Sequence, residues 1–180
     1  MALTEDKCFT ELSKIDVTAL TEWLTEKAHT YEDWISLDAL DFRYEMVPDI
    51  PNTKIFELCP QLELLHSVAP LREPVGFTIA KMNPGNHYAL HKDTIRGVNL
   101  NILLEADSTD SVTVFVDDKH DNNIRLEYKP NTLYAFNTQV FHSVLNFSKP
   151  RYLLTSGFEK TREHFKYRDL LIALSKVELL

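Results

Sequence analysis

The fold class that the sequence predicts is mainly β with flanking α-helices, on a jelly-roll core, and three observations predict it. From Val75 onward, short runs rich in β-branched and aromatic residues alternate with turn residues, as in an antiparallel sandwich or barrel. There are seven such runs, close to the eight strands of a jelly roll. Segments of helical period flank them on both sides.

Residues 1–75 read as largely helical support. Val17, Leu20, Leu24 and Ala28 recur at helical spacing beside Trp23, with Asp16 placed to cap the helix and Ile15 and Leu20 placed to staple its start. After a mixed stretch containing Trp34, Phe42–Val47 reads as extended. Pro60 then stands where it can open a short helix through Leu62, Leu64, Leu65 and Val68, which Pro70 ends.

Residues 76–158 read as the β core. The predicted strands are Gly76–Met82, Val98–Glu105, Val112–Val116, Ile124–Tyr128, Thr132–Asn137, Phe141–Phe147 and Tyr152–Phe158. Asn83-Pro84-Gly85, Ala106–Asp110, Asp117–Asn123, Lys129-Pro130-Asn131 and Ser148-Lys149-Pro150 separate them. The tail, 159–180, returns to helical spacing between Arg162 and Lys176, with Phe165, Leu170, Leu171 and Leu174 on one side. With no internal repeat and no Ser/Gly- or Pro-rich linker, residues 1–180 read as a single domain.

Composition narrows the partners. A formal charge of −8 without a stripe of Lys and Arg argues against nucleic acid, whose phosphates need clustered cations. Cys8 and Cys59 are too few and too far apart for a disulfide framework or a Cys-rich zinc site, which fits a reducing compartment. Met1–Lys14 lacks the basic start and apolar centre of a signal peptide, and no run approaches the ~20 apolar residues of a membrane span. The expected location is cytoplasmic, with no membrane association; nothing selects an oligomeric state.

The candidate chemistry begins at His91-Lys92-Asp93. Residues at i and i+2 on extended backbone project from one face, so both can reach one metal ion. His-x-Asp arises readily by chance, and its context carries the weight. His142 follows in a strand-like run and Arg151 lies one short turn later. Two histidines and a carboxylate are the facial set that holds non-haem iron(II) and leaves three positions open, whereas structural zinc prefers a closed tetrahedron. Arg151 adds a planar cation able to fix the distal carboxylate of a 2-oxo acid that chelates the metal through its other end. If Ser148-Lys149-Pro150 closes a hairpin, His142 and Arg151 stand on neighbouring strands and both face inward.

His91-x-Asp93, His142 and Arg151, in this order and sheet context, resemble the 2-oxoglutarate/iron(II)-dependent oxygenase superfamily over about Gly76 to Phe158. The segment HSVLNFSKPRYLLTSGF is similar to the His-to-Arg strand pair of the aspartyl/asparaginyl β-hydroxylase and free-proline hydroxylase branches. The resemblance implies a double-stranded β-helix, cupin-like core, Fe(II), 2-oxoglutarate and O2 as co-substrates, and release of succinate and CO2. It implies His91, Asp93 and His142 as metal ligands and Arg151 as the co-substrate anchor. Some aspartyl/asparaginyl hydroxylases lack the carboxylate that Asp93 supplies, and many collagen-type prolyl hydroxylases carry Lys where Arg151 stands. Halogenating members carry Ala or Gly at the acid position, so Asp93 points to hydroxylation. The expected substrate is a small polar molecule such as an amino acid, or a protein side chain.

Other residues have two readings each. Val98, Leu100, Ile102 and Leu104 alternate with Asn99 and Asn101, so the amides face either solvent or the site, and Asn101 is a candidate co-substrate contact. Arg96 is either a surface charge or a group for an acidic substrate. His87 is placed near the pocket mouth and His120 in a solvated loop; His29, His66 and His164 fall in helical segments, and Trp23 and Trp34 read as core. Two rival functions stay open. One is a cupin-like metal-dependent isomerase, dioxygenase or ligand-binding protein that does not use 2-oxoglutarate, from which Arg151 separates the main reading. The other is a barrel kept as a binding module.

Overall fold

Alternation of apolar and polar residues becomes an antiparallel sheet that winds back over itself. The computed structural model describes residues 2–27, 35–39, 42–67, 76–104, 110–158, 164–177 and 179. Among these lie eleven strands: β1 (Phe9–Lys14), β2 (Ile35–Ala39), β3 (Phe42–Ile50), β4 (Gly76–Met82), β5 (His87–His91), β6 (Val98–Leu103), β7 (Ser111–Val116), β8 (Asn123–Leu126), β9 (Thr132–Asn137), β10 (Phe141–Asn146) and β11 (Arg151–Gly157). The helices are α1 (Glu5–Cys8), α2 (Thr18–Lys27), α3 (Asn52–Leu58) and α4 (Tyr167–Leu174), with a 3-10 stretch at Pro60–Ser67. None is long and apolar enough to cross a membrane.

The hydrogen-bonded path runs β1-β9-β6-β11-β4-β3-β5-β10-β7-β8, with β2 on β3. Strands β4 to β11 therefore fall into two sets, β9-β6-β11-β4 and β5-β10-β7-β8. The chain passes from one set to the other at every connection except the β7–β8 hairpin. Ser148-Lys149-Pro150 therefore crosses between the sets instead of closing the expected hairpin: β10, with His142, pairs with β5 and β7, and β11, with Arg151, pairs with β4 and β6. That winding is the predicted jelly roll, a double-stranded β-helix. Strand β3 joins the sets, pairing along β4 and meeting β5 at one position, Phe42 opposite Tyr88.

Strand periodicity sorts side chains between two cores. On β6, Val98, Leu100 and Ile102 pack toward the helices, with Leu20, Ile55, Leu62, Leu65, Leu170 and Leu174. Full burial of each large aliphatic contributes about 1.5–3 kcal/mol, which holds the helical layer on the sheet. A second cluster, with Phe9, Leu103, Phe115, Tyr134, Phe136 and Leu153, fills part of the barrel. Asn99 and Asn101 point to the barrel side and are buried, so the solvent-facing reading does not hold.

Gly76–Met82 and Thr132–Asn137 match their predicted bounds, and the other predicted strands shift by one or two residues. The picture of 1–75 as largely helical needs correction, because that segment also supplies β1, β2 and β3. In β1 the pairing with β9 shifts between Glu11 and Lys14, so Phe9 and Leu12 are buried three apart and the period-2 signal is lost. Helix α2 starts as predicted, with Asp16 Oδ1 accepting from the Thr18 N–H at 3.0 Å. The tail helix is shorter than predicted: the Lys166 N–H donates to Asp169 Oδ2 at 3.1 Å, and α4 begins at Tyr167. Ala28, His29, Trp34, Val68, Pro70 and Arg162 lie outside the described residues.

Candidate metal and co-substrate site

His91 ends β5 and stands opposite His142 of β10, which itself stands opposite Phe115 of β7. The β5–β10 register shifts just after this pair, an irregularity of the kind that re-aims side chains beside sites. Each ring is held from behind: His91 Nδ1 lies 2.7 Å from the Ala89 carbonyl and His142 Nδ1 2.9 Å from the Val140 carbonyl. Carbonyls only accept, so both Nδ1 atoms carry the proton and both Nε2 lone pairs point inward.

Asp93 departs from the expected geometry in one respect. Strand β5 stops at His91, so the carboxylate is aimed by a loop rather than by i,i+2 strand spacing. The Asp93 N–H donates to the Thr138 carbonyl at 3.1 Å, and the Asp93 carbonyl accepts from Gln139 Nε2 at 3.0 Å. Asp93 Oδ2 is paired with Arg96 Nε at 3.2 Å, while Oδ1 lies 3.4 Å from His91 Nε2 and 4.0 Å from His142 Nε2. All three ligand atoms fall within 4.8 Å of one another.

This donor set fits a metal cation. Two imidazole lone pairs and a carboxylate converge as acceptors, and buried His91 Nε2 has no hydrogen-bond donor among the described residues. A divalent ion satisfies all three at once, and two histidines with one carboxylate suit iron(II). The protonation states agree. Burial, then repulsion from His91, pushes His142 down to about 4, so its imidazole is neutral at neutral pH. Burial alone would raise the Asp93 pKa, but the neighbouring His91, Arg96 and His142 outweigh it and hold the carboxyl below its ordinary range.

Aromatic rings wall the centre. Phe136 meets His142 edge-on at 5.0 Å between centroids, Phe115 lies 6.0 Å away, and Tyr88 lies 3.9 Å from His91. Beyond them the same cavity, about 380 Å³, reaches Arg151. Small-molecule pockets run from about 300 to 1,000 Å³, so this one suits a small ligand. Arg151 opens β11 and is 6% exposed, its guanidinium 5.3 Å from the centroid of the Tyr128 ring. The Tyr128 hydroxyl accepts from Asn101 Nδ2 at 3.0 Å, and burial pushes the phenol up to about 12, so it stays protonated. Asn99 Oδ1, Asn101 Oδ1, Thr113 Oγ1 and Thr155 Oγ1 are buried around this cavity without a hydrogen-bond partner among the described residues. Groups that cost this much to desolvate need a partner, and a polar ligand supplies one.

The structure thus brings together His91, Asp93, His142, Arg151 and the amides Asn99 and Asn101, and it adds Tyr128, Thr113, Thr155 and Gln139, which sequence reasoning missed. Thr155 had a signal, since it shares the inward face of β11 with Arg151 and Leu153. Tyr128 had none, because it follows β8 and meets Arg151 only through the closure of the barrel. His87 is exposed beside the mouth strand, opposite Leu145. His120 sits in an exposed turn at positive φ, edge-on to Phe141, and His66 contacts Asn52 and Phe56 in the helical layer.

No protein-family model and no curated protein sequence matches the chain. Solved structures do match it in three dimensions. A prolyl-4-hydroxylase from Pseudomonas putida superposes with a TM-score of 0.61 at 15% identity, over 86% of this chain and 93% of its own. A prolyl hydroxylase from Trichoplax adhaerens, in complex with a hypoxia-inducible-factor peptide, gives 0.61 at 11% identity over 85% and 84%. HygX from Streptomyces hygroscopicus, with nickel, 2-oxoglutarate and hygromycin B bound, gives 0.57 at 12% over 92% and 90%. At such identities the likeness is one of fold. The chain thus shares the fold of these three solved structures.

Proposed function

We propose that this chain is an iron(II)- and 2-oxoglutarate-dependent dioxygenase that hydroxylates a carbon of a small polar substrate, such as an amino acid, or of a protein side chain, releasing succinate and CO2. The observation that carries the proposal is one cavity holding, at one end, three converging acceptors with a buried orphan imidazole nitrogen and, at the other, a buried arginine set against a tyrosine. His91, Asp93 and His142 would hold the iron, and Arg151, Tyr128 and Asn101 the distal carboxylate of 2-oxoglutarate. Bound iron would supply the redox chemistry by which O2, the oxidant, couples decarboxylation of 2-oxoglutarate to oxidation of a substrate C–H bond to C–OH, one oxygen atom going to succinate and one to product.

The chain's own residues supply position and environment. Two imidazoles and the anionic Asp93 would leave a bound divalent ion with net positive charge, which would draw the 2-oxo acid end of the co-substrate. Arg151 offers its guanidinium to the other end, in a site dry enough for the pair to count for more than in water. Phe115 and Phe136 keep water from the inner side of the histidines. At the mouth Arg96, whose side chain is 43% exposed, would meet an acidic group of the substrate while its Nε stays on Asp93. The similar structures include one with a peptide bound and one with a small molecule bound, and both substrate classes remain within the proposal.

A turnover assay tests it. Protein loaded with iron(II) is expected to convert 2-oxoglutarate to succinate in air, slowly without substrate, and Asp93→Ala is expected to abolish the conversion. A cupin-like protein that does not use 2-oxoglutarate would form no succinate.

A further inference from the structure

The turn between β9 and β10, Thr138–Val140, touches two of the three candidate ligands and the loop that carries one of them. Its Thr138 carbonyl accepts from the Asp93 N–H at 3.1 Å, and its Val140 carbonyl faces His142 Nδ1 at 2.9 Å. Thr138 is fully buried, and its hydroxyl donates to the Arg96 carbonyl at 2.6 Å. Gln139 is the hub. Its Nε2 donates to the Asp93 carbonyl at 3.0 Å and to the Arg96 carbonyl at 2.8 Å, so one primary amide spans both ends of loop 93–96. Both partners are carbonyls, and only the NH2 end of the amide can serve them.

Gln139 is itself held. Its backbone N–H donates to Asn137 Oδ1 at 3.0 Å, and Asn137 Nδ2 donates to the Lys7 carbonyl at 2.8 Å. The amide is therefore anchored on β9 and the N-terminal segment before it reaches the loop. Clamping Arg96 at its carbonyl also places the Arg96 Nε on Asp93 Oδ2, which leaves Oδ1 turned toward the histidines. Because β5 has already ended, strand geometry does not aim Asp93, and this clamp takes its place.

We propose that Gln139 is a positioning residue of the metal site: through loop 93–96 it sets where the Asp93 carboxylate stands relative to His91 and His142. The inference rests on the metal-site reading above. Partners one shell out from a metal typically govern its affinity by about 10- to 100-fold, through the orientation of the ligands they hold.

Cobalt(II) titration of the full chain, followed by visible d–d absorption, tests it beside the thermal midpoint of the metal-free protein. Gln139→Met keeps the length and loses the donors, and Gln139→Glu loses them and sets a carboxylate against two carbonyls. Both are expected to bind cobalt about 10- to 100-fold more weakly, with altered d–d bands. Asp110→Asn serves as the control for general destabilisation, since Asp110 holds the Ser148–Lys149 turn instead of the ligands, and its cobalt affinity and bands are expected to match wild type. Affinity within about threefold of wild type with unchanged bands, in either folded Gln139 variant, overturns the inference. So does an affinity loss that Asp110→Asn reproduces, or failure of both Gln139 variants to fold. A wild-type chain that takes up no cobalt overturns the metal reading and this inference together.

Discussion

His91 and His142 stand opposite one another on β5 and β10, and each presents its Nδ1 to the carbonyl two residues earlier in its own chain, Ala89 and Val140. The shared device fixes both tautomers without any side-chain partner and leaves two Nε2 lone pairs facing Asp93. A metal-free pocket of this kind collects unsatisfied acceptors, so binding and stability are linked.

Metal is therefore expected to stabilise the fold. At a free cobalt(II) concentration near 100 times Kd the gain is about 2.7 kcal/mol, read as a rise in thermal midpoint. In His91→Ala and His142→Ala the rise is expected to vanish. A rise that persists in both variants would place the metal elsewhere.

The pH dependence of the metal-free protein follows from His142. Its pKa falls from 6.5 to about 4 in the folded state, chiefly through burial, so the unfolded chain binds the extra proton between those values. Stability from this group is then present above pH 6.5, declines as pH falls from 6.5 toward about 4, and levels off below. Thermal midpoints of wild type minus those of His142→Gln, measured across that window without metal, are expected to show this slope. A flat difference would mean that His142 is not desolvated.

Arg151→Ala is expected to weaken 2-oxoglutarate binding by more than cobalt binding. Removing one partner of a buried charged pair costs about 2–5 kcal/mol, or roughly 30- to several-thousand-fold in Kd. Arg151→Lys should fall between, since it keeps the charge and loses the planar fork. Calorimetric titration of 2-oxoglutarate into the cobalt-loaded, anaerobic protein reads both, and unchanged affinity would mean that another residue holds the distal carboxylate.

Tyr128→Phe isolates a smaller contribution. The hydroxyl accepts from Asn101 and lies at the Arg151 end of the cavity, so its loss is expected to weaken 2-oxoglutarate binding by roughly 2- to 12-fold, the worth of one neutral hydrogen bond. The same titration checks it. An effect as large as that of Arg151→Ala would make Tyr128 a principal anchor.

Phe115→Ala separates fold from site. Phe115 is 0% exposed and packs beside both Phe136 and His142. The cavity left by a buried phenylalanine costs about 3–5 kcal/mol, visible by denaturant unfolding. A cost under about 1 kcal/mol would show that the barrel floor collapses to fill the space.

Strands such as Gly76–Met82 and Thr132–Asn137 were legible because their alternation is uninterrupted and turn residues bracket them. That His91, Asp93, His142 and Arg151 gather at one cavity was legible because ligand chemistry restricts which side chains can serve together. Strand β5 was not, since it contains no buried residue and its register with β10 shifts. Asn101 stood undecided between solvent and site until β6 proved buried along its whole length between two layers. Tyr128 and Gln139 were out of reach for a common reason. Their partners are Arg151 and loop 93–96, contacts made by the closing of the barrel and invisible to local periodicity.

On the proposed function, one cavity binds iron(II) and 2-oxoglutarate together. Anaerobic addition of iron(II) and then 2-oxoglutarate, watched in the visible region, tests it most directly. A metal-to-ligand charge-transfer band that appears only with both present, saturates at one equivalent of each, and is lost in His142→Ala is the predicted result. A colourless mixture at saturating concentrations of both would contradict it.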